Sequence, residues 1–266
     1  MKMLKRPQLK NNFLKIYESL FKHFGPQHWW PGETPMEVIV GAVLTQNTNW
    51  GNVEKALDNL RCQNLLDIAG INALSHAKLA ALIKPAGYFN VKARRLKNLM
   101  NFIASRYQGD LQLMGRAPLE ELRKGLLEVN GIGPETADSI LLYAFNKPIF
   151  VVDAYTKRFL YRHNLIGAQD DYHFVQDLFM KNLISKDPST RPSGSLRVSP
   201  KGKNSPRAQL FNEYHALIVR LGKDFCKPTP RCDECPLNNF RYSIDSRCGR
   251  CFRHFPTQKV CLNCLP

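Results

Sequence analysis

Long apolar runs are missing from this chain of 266 residues. No stretch comes near the roughly 20 consecutive apolar residues that cross a bilayer, so no membrane partner is expected. The opening MKMLKRPQLKNNFLKIYESL is basic, but it has no apolar core and no small-residue cleavage site, which argues against a secretory signal. Acids are scarce as well: 22 Asp and Glu stand against 38 Lys and Arg, a net charge of +16 with pI about 9.6. That imbalance does not select a fold, but it strongly favours a polyanionic partner. Cysteine is almost absent before residue 226. Cys62 stands alone there, and beside an apolar helix it reads as a small buried hydrophobe. The other seven crowd into residues 226–264 with CxxC spacings. Such crowding excludes the spread disulfides of a small secreted domain and points to metal or cluster ligation in a reducing cytoplasm. Strand signals are scarce too. Phe150-Val151-Val152 is the best of them and is too short to found a sheet.

What remains is helix. Residues 12–24 carry Phe13, Ile16, Tyr17, Leu20, Phe21 and Phe24 at helical period, and Met36 to Leu44 is apolar nearly all round, as in a buried helix. Further segments at 53–60, 79–83, 91–107, 118–129 and 136–145 are separated by short Gly, Pro and Asn turns. The pattern predicts an all-α protein of about ten helices. One stretch departs from it: residues 186–207 hold four prolines, five serines, six basic residues and a single acid, the composition of a flexible insertion.

The most informative segment is VNGIGPETADSILLYAFNKPIFVVDAYTKR, residues 129–158. Gly131, Ile132 and Gly133 lie between two helical segments, with Pro134 suited to the first position of the second. The glycines let backbone N–H groups come close to a phosphate, and the following helix end is positive. About twenty residues on, an apolar run delivers Asp153 to the start of another helical stretch. A GxG by itself is more often a tight turn, and an Asp at such a boundary more often a helix cap. The combination is more specific.

This segment resembles the helix-hairpin-helix and Gly/Pro-Asp signature of the endonuclease III superfamily of DNA glycosylases. Residues 36–60, MEVIVGAVLTQNTNWGNVEKALDNL, resemble that family's base-probing helix and loop. Residues 83–99 match as well, and residues 214–235 resemble its approach to an iron–sulfur loop, so the likeness covers most of 30–235. The resemblance implies a two-lobed fold. Residues 34–146 would form a six-helix lobe ending in the hairpin, and 1–33 with 147–225 a second lobe. Asp153 would sit in the cleft between them, and 226–266 would be a metal-holding tail. It also implies base-excision repair on double-stranded DNA, with Thr136 among the DNA-contacting residues of the hairpin. A monomer in the cytoplasm, at the nucleoid, is expected.

Breaking an N-glycosidic bond requires stabilisation of an oxocarbenium-like sugar. A single buried carboxylate, Asp153, can supply that and can orient or deprotonate water. Family members that also cut the backbone carry a lysine just before a Thr-Ala in the hairpin's second helix. Glu135 holds that place here, and a carboxylate cannot form an imine. The expectation is therefore a monofunctional glycosylase, with Glu135 a first-turn acid favoured by the helix dipole. Lys157, one turn after Asp153, is the amine that could restore lyase chemistry; contact with a phosphate is its other reading.

Trp29 and Trp30 adjoin in a loop, and Trp50 ends the Thr45–Asn49 loop. An extruded base stacks on aromatic faces, and a cationic methylated purine gains about 0.5–2 kcal/mol from indole. These aromatics resemble the 3-methyladenine branch of the superfamily; as a lining for the core they would be equally ordinary. Gln46 and Asn47 both remain candidates to fill the gap left by the flipped nucleotide. Helix capping is the alternative for Asn47 or Asn49.

Cys226, Cys232 and Cys235 approach the family's [4Fe–4S] spacing, but Arg241 falls where its fourth cysteine stands. With Cys248 as fourth ligand, Cys251, His254, Cys261 and Cys264 are left for a Cys₃His zinc site. The rival partition makes Cys248, Cys251, Cys261 and Cys264 a Cys₄ zinc knuckle. Either way the tail would pin a basic loop. The expected reaction is hydrolytic excision of an alkylated purine. A bifunctional lyase acting on oxidised pyrimidines and a noncatalytic DNA-binding hairpin protein are the alternatives.

Overall fold

The structure, a computed structural model, describes residues 6–27, 29, 32–183, 205–238 and 240. Among them are twelve α-helices and no strand: α1 Arg6–Phe24, α2 Pro35–Leu44, α3 Trp50–Arg61, α4 Ile68–Ala73, α5 His76–Leu82, α6 Phe89–Tyr107, α7 Leu111–Arg116, α8 Leu119–Glu128, α9 Pro134–Ser139, α10 Ala154–Arg162, α11 Tyr172–Asn182 and α12 Pro206–Asp224. The all-α expectation holds. No helix among the described residues is long and apolar enough to cross a membrane.

The chain divides into two compact units, Trp30–Ile149 and Met1–Trp29 with Phe150–Pro266. The first is built on α2, buried from Met36 to Leu44. Thr34 caps it by accepting from the Glu37 N–H at 3.2 Å, and the Glu37 carboxylate turns back to the Glu33 N–H at 2.6 Å. Lys92 of α6 is 1% exposed, and its Nζ donates to the carbonyls of Leu44 and Ala86, 2.8 Å each. It thus satisfies C-terminal carbonyls that would otherwise be orphaned. On the hairpin helices, Arg123 of α8 donates Nε to Oδ1 and NH2 to Oδ2 of the fully buried Asp138 of α9, at 2.7 and 3.1 Å. That fork ties the two helices together.

The second unit has an aromatic core. Phe13, Ile16, Tyr17 and Leu20 of α1 are buried, as their spacing predicts. Phe13 packs edge-on to Phe179, which stacks on Phe150 with centroids 3.8 Å apart. The Tyr214 hydroxyl donates to the Phe13 carbonyl at 2.9 Å, locking α12 to α1. Helices α10 and α12 approach closely at Gly222, where an added Cβ would fall 2.2 Å from the Tyr155 ring.

Phe150-Val151-Val152, too short to found a sheet, is a buried connector with no strand among the described residues to pair with. Two expectations need correction. Cys62 is exposed at the end of α3, where the helix turns its last residue outward. The end of the proposed 186–207 insertion is helical: Pro206 opens α12, and Arg207 NH2 donates to the Met180 carbonyl at 3.2 Å. The rest of that insertion, residues 186–204, lies outside the described residues.

Candidate active site

Asp153 ends the buried connector and caps α10. Its Oδ1 accepts from the Thr156 N–H at 2.7 Å and the Thr156 hydroxyl at 2.8 Å. The capping role weighed from sequence is therefore real, yet it occupies one oxygen only. The other, Oδ2, lies 3.6 Å from Nε2 of His215 on α12, and both side chains are largely buried, at 13% and 5% exposure. Burial by itself pushes the Asp153 carboxyl up. The nearby His215 charge, with the two Thr156 donors, overcomes it and holds the acid below the usual carboxylate range. An ionised carboxylate is thus kept in a dry setting, where its field is strongest.

The His215 ring stacks on Trp29, centroids 5.7 Å apart and planes 27° apart, and meets Phe150 edge-on at 6.2 Å. Trp29 is half-buried; Trp30 lies outside the described residues. Lys157 donates Nζ to the Asp170 carbonyl at 3.4 Å. Sequence reasoning missed His215. It sits in a segment singled out for its approach to the cysteines, and no local pattern ties it to Asp153.

In the unit formed by residues 30–149, the loop after α2 separates the two amide candidates. Gln46 is held at both ends: its Nε2 donates to Thr136 Oγ1 at 2.8 Å, and its Oε1 accepts from Arg95. Asn47 is exposed in the left-handed region at φ 56°. Asn49 caps α3 by accepting from the Asn52 N–H at 3.1 Å, and the half-buried Trp50 is that helix's first residue. Thr136 is itself buried and committed to Gln46.

The hairpin runs from α8 through Val129–Gly133 into α9, with Pro134 at the first position. Its two glycines differ. Gly131 has φ +94°, and a Cβ there would lie 2.3 Å from Arg95 Cγ; Gly133 has φ −90°, with open space where its Cβ would be. Ile132 is buried, and Asn98 of α6 braces the turn by donating to the Asn130 carbonyl at 3.1 Å. Glu135 is exposed in the first turn of α9. Arg95, also unforeseen, touches both loop and hairpin. Tyr88, at φ 45° and 72% exposed, is the most exposed large hydrophobic side chain among the described residues.

Three cysteines of the tail, Cys226, Cys232 and Cys235, lie among the described residues. Cys226 is buried, and its Sγ accepts from Arg162 NH1 at 3.3 Å. Burial pushes the Cys235 thiol up to about 11; a hydrogen bond from the Leu237 backbone opposes this, and the nearby charges of Cys226 and Cys232 add to it. Thiols near enough to affect one another are the donor type an iron–sulfur cluster takes. Among the described residues no group of three ligating side chains is already gathered to hold an ion. Cys248, Cys251, His254, Cys261 and Cys264 lie outside them, as does Arg241.

Residues 40–184 match the HhH-GPD superfamily base excision DNA repair protein family. A candidate DNA repair glycosylase of Methanocaldococcus jannaschii is 44% identical over 228 residues, covering 85% of this chain and 94% of that protein. Endonuclease III of Sulfolobus acidocaldarius is 27% identical over 213 residues, with 78% of this chain and 82% of the relative covered. Among solved structures, the H. pylori 3-methyladenine DNA glycosylase bound to 1,N6-ethenoadenine superposes with TM-score 0.65 at 32% identity, over 80% of this chain and 97% of that one. A trapped endonuclease III–DNA intermediate shares the fold at TM-score 0.68 and 20% identity, over 90% and 96%. With a hairpin between two helices, a capped and ionised aspartate after it, and relatives matched along most of their length, the chain belongs to the HhH-GPD superfamily of base-excision DNA repair glycosylases.

Proposed function

We propose that this glycosylase hydrolyses the N-glycosidic bond of an alkylated purine in double-stranded DNA and leaves the backbone intact. The observation that carries the reading is Asp153. One oxygen is engaged by the Thr156 cap, and the second oxygen of the ionised carboxylate lies near His215, whose ring stacks on Trp29. The free acceptor capacity of Oδ2 can face the positive charge that develops on the sugar, or align water for attack at its anomeric carbon. Trp29 and Trp50 supply the faces on which a cationic base stacks, and Trp30 shares that role. Such a base leaves readily, which suits a site with one carboxylate at its centre. The relation to a 3-methyladenine glycosylase solved with a modified adenine supports the same substrate class.

The absence of lyase chemistry follows from side-chain type. Glu135 stands at the position of the lyase lysine, and the Lys157 amine is engaged at the Asp170 carbonyl. Gly131 and Gly133 offer backbone N–H groups to a phosphate, while the Ile132 N–H closes the turn onto the Val129 carbonyl at 3.0 Å, and the open space at Gly133 is room for a phosphate. Asn47, exposed at the apex of its loop, is the residue to enter the base stack, with Gln46 as its anchored footing. Tyr88 adds an exposed aromatic face on which a base can stack. Cys226, Cys232, Cys235 and Cys248 would hold a [4Fe–4S] cluster whose contribution is structural, fastening the basic loop that carries Lys227 and Arg231; Cys251, His254, Cys261 and Cys264 would bind zinc. The protein would act as a monomer in the cytoplasm, at the nucleoid.

The test uses three duplexes, bearing 3-methyladenine, thymine glycol or uracil, assayed with and without alkali and under borohydride. Release of 3-methyladenine, strand breaks only after alkali, and no trapped adduct are expected. A covalent adduct, or preference for thymine glycol, would replace this reading with the oxidised-pyrimidine lyase.

A further inference from the structure

We infer that His215 is the positioning residue of Asp153: its imidazole, braced against Trp29, holds Oδ2 in the orientation the reaction uses. This rests on the function proposed above and concerns a residue that neither the hairpin nor the aspartate motif contains.

The two carboxylate oxygens have different surroundings. Both Thr156 donors fall on Oδ1, which fixes that oxygen to the first turn of α10. Oδ2 is left for chemistry, and Nε2 of His215 stands 3.6 Å from it. Rotation of the carboxylate about its last bond would exchange capping for reacting oxygen, and a group beside Oδ2 resists that. His215 is buried among Trp29 and Phe150, surroundings that an apolar aromatic would fill at least as well. The carboxylate 3.6 Å away is a reason for a polar ring at this place that packing alone does not supply. The distance between the helices is fixed by the contact of Gly222 with the Tyr155 ring, so the His215-to-Asp153 spacing is set by the scaffold. The same ring touches an indole proposed to line the base pocket, which links the pocket wall to the oxygen that does the work.

Packing and positioning make opposite forecasts for two substitutions. His215→Phe keeps a ring against Trp29 and loses the polar contact. His215→Gln loses the ring and keeps an N–H near the place of Nε2. Release of 3-methyladenine from methylated duplex DNA is followed under single-turnover conditions, with Asp153→Asn in parallel. Binding to a duplex holding an abasic-site analogue and thermal unfolding are measured for every variant. Positioning predicts that His215→Phe is slowed on the order of 10- to 100-fold at unchanged DNA affinity, and that His215→Gln recovers much of the rate. If Phe equals or outperforms Gln, His215 is a packing residue and the inference falls. If Asp153→Asn is inactive while both His215 variants keep full rate, the inference fails alone. Full activity in Asp153→Asn, or no base release by the unaltered protein, overturns the proposed function and the inference with it.

Discussion

Replacing Asp153 by Asn separates the two roles of that side chain. Asn is as good a helix cap as Asp, so the Thr156 contacts and the fold should persist. The charge proposed to face the sugar is lost, and base release should drop by at least about 10²- to 10³-fold with thermal unfolding little changed. A variant that loses activity only by unfolding would contradict this. The depressed acidity of Asp153 also has a sign in stability. Its folded value lies below the unfolded one, so it contributes stability above the ordinary carboxylate range, and that contribution disappears as pH falls through the folded value. Acid unfolding should therefore be less steep for Asp153→Asn than for the unaltered protein. Lys92 gives the opposite case for a base. Burial, with the Arg95 charge adding, pushes its ammonium down to about 8 from 10.5. Between those values the unfolded chain holds a proton that the folded chain has released, so stability rises with pH across that window. Urea midpoints measured from pH 8 to 10.5 should show this rise, and Lys92→Met should lack its share of it.

The hairpin invites a comparison of its glycines. At Gly131 the backbone is left-handed and a methyl would strike Arg95, so Gly131→Ala should cost about 1–2 kcal/mol or more of stability by chemical denaturation. At Gly133 the backbone is ordinary and the space is open, so Gly133→Ala should stay within about 0.5 kcal/mol. Its loss should appear in DNA affinity instead, because the methyl would occupy the room proposed for a phosphate. Equal stability losses at the two positions would deny them separate roles. Sequence spacing revealed that both glycines belong to a turn between helices, but it could not rank them, since φ is set by how the turn rests on α6. The loop after α2 teaches the same lesson. Gln46 is a candidate by type and Asn47 by position, and contacts with Arg95 and Thr136, distant in sequence, are what tell them apart.

Net charge of +16 makes binding to the polyanion a property of the whole chain. Each phosphate neutralised should add about −0.9 to the slope of log affinity against log salt. Titrating duplex binding between 50 and 200 mM salt should give a steep negative slope, shared by damaged and undamaged DNA, while base release separates the two. A flat salt response would mean that the positive charge is not turned to the duplex.

Composition and periodicity were enough for an all-helical fold and for the stripe on α1, and the resemblance carried by the glycine–aspartate segment pointed to the glycosylase family, because each is written locally along the chain. Helical period and turn chemistry act over a few residues, and the sequence displays them directly. Tertiary packing alone brought His215 of α12 to Asp153, Arg95 to Gln46, and Lys92 to the end of α2. It also exposed Cys62. Those outcomes depend on which helix lies beside which. That choice is settled by burial and polar satisfaction summed over contacts far apart in the chain, so no local window contains it.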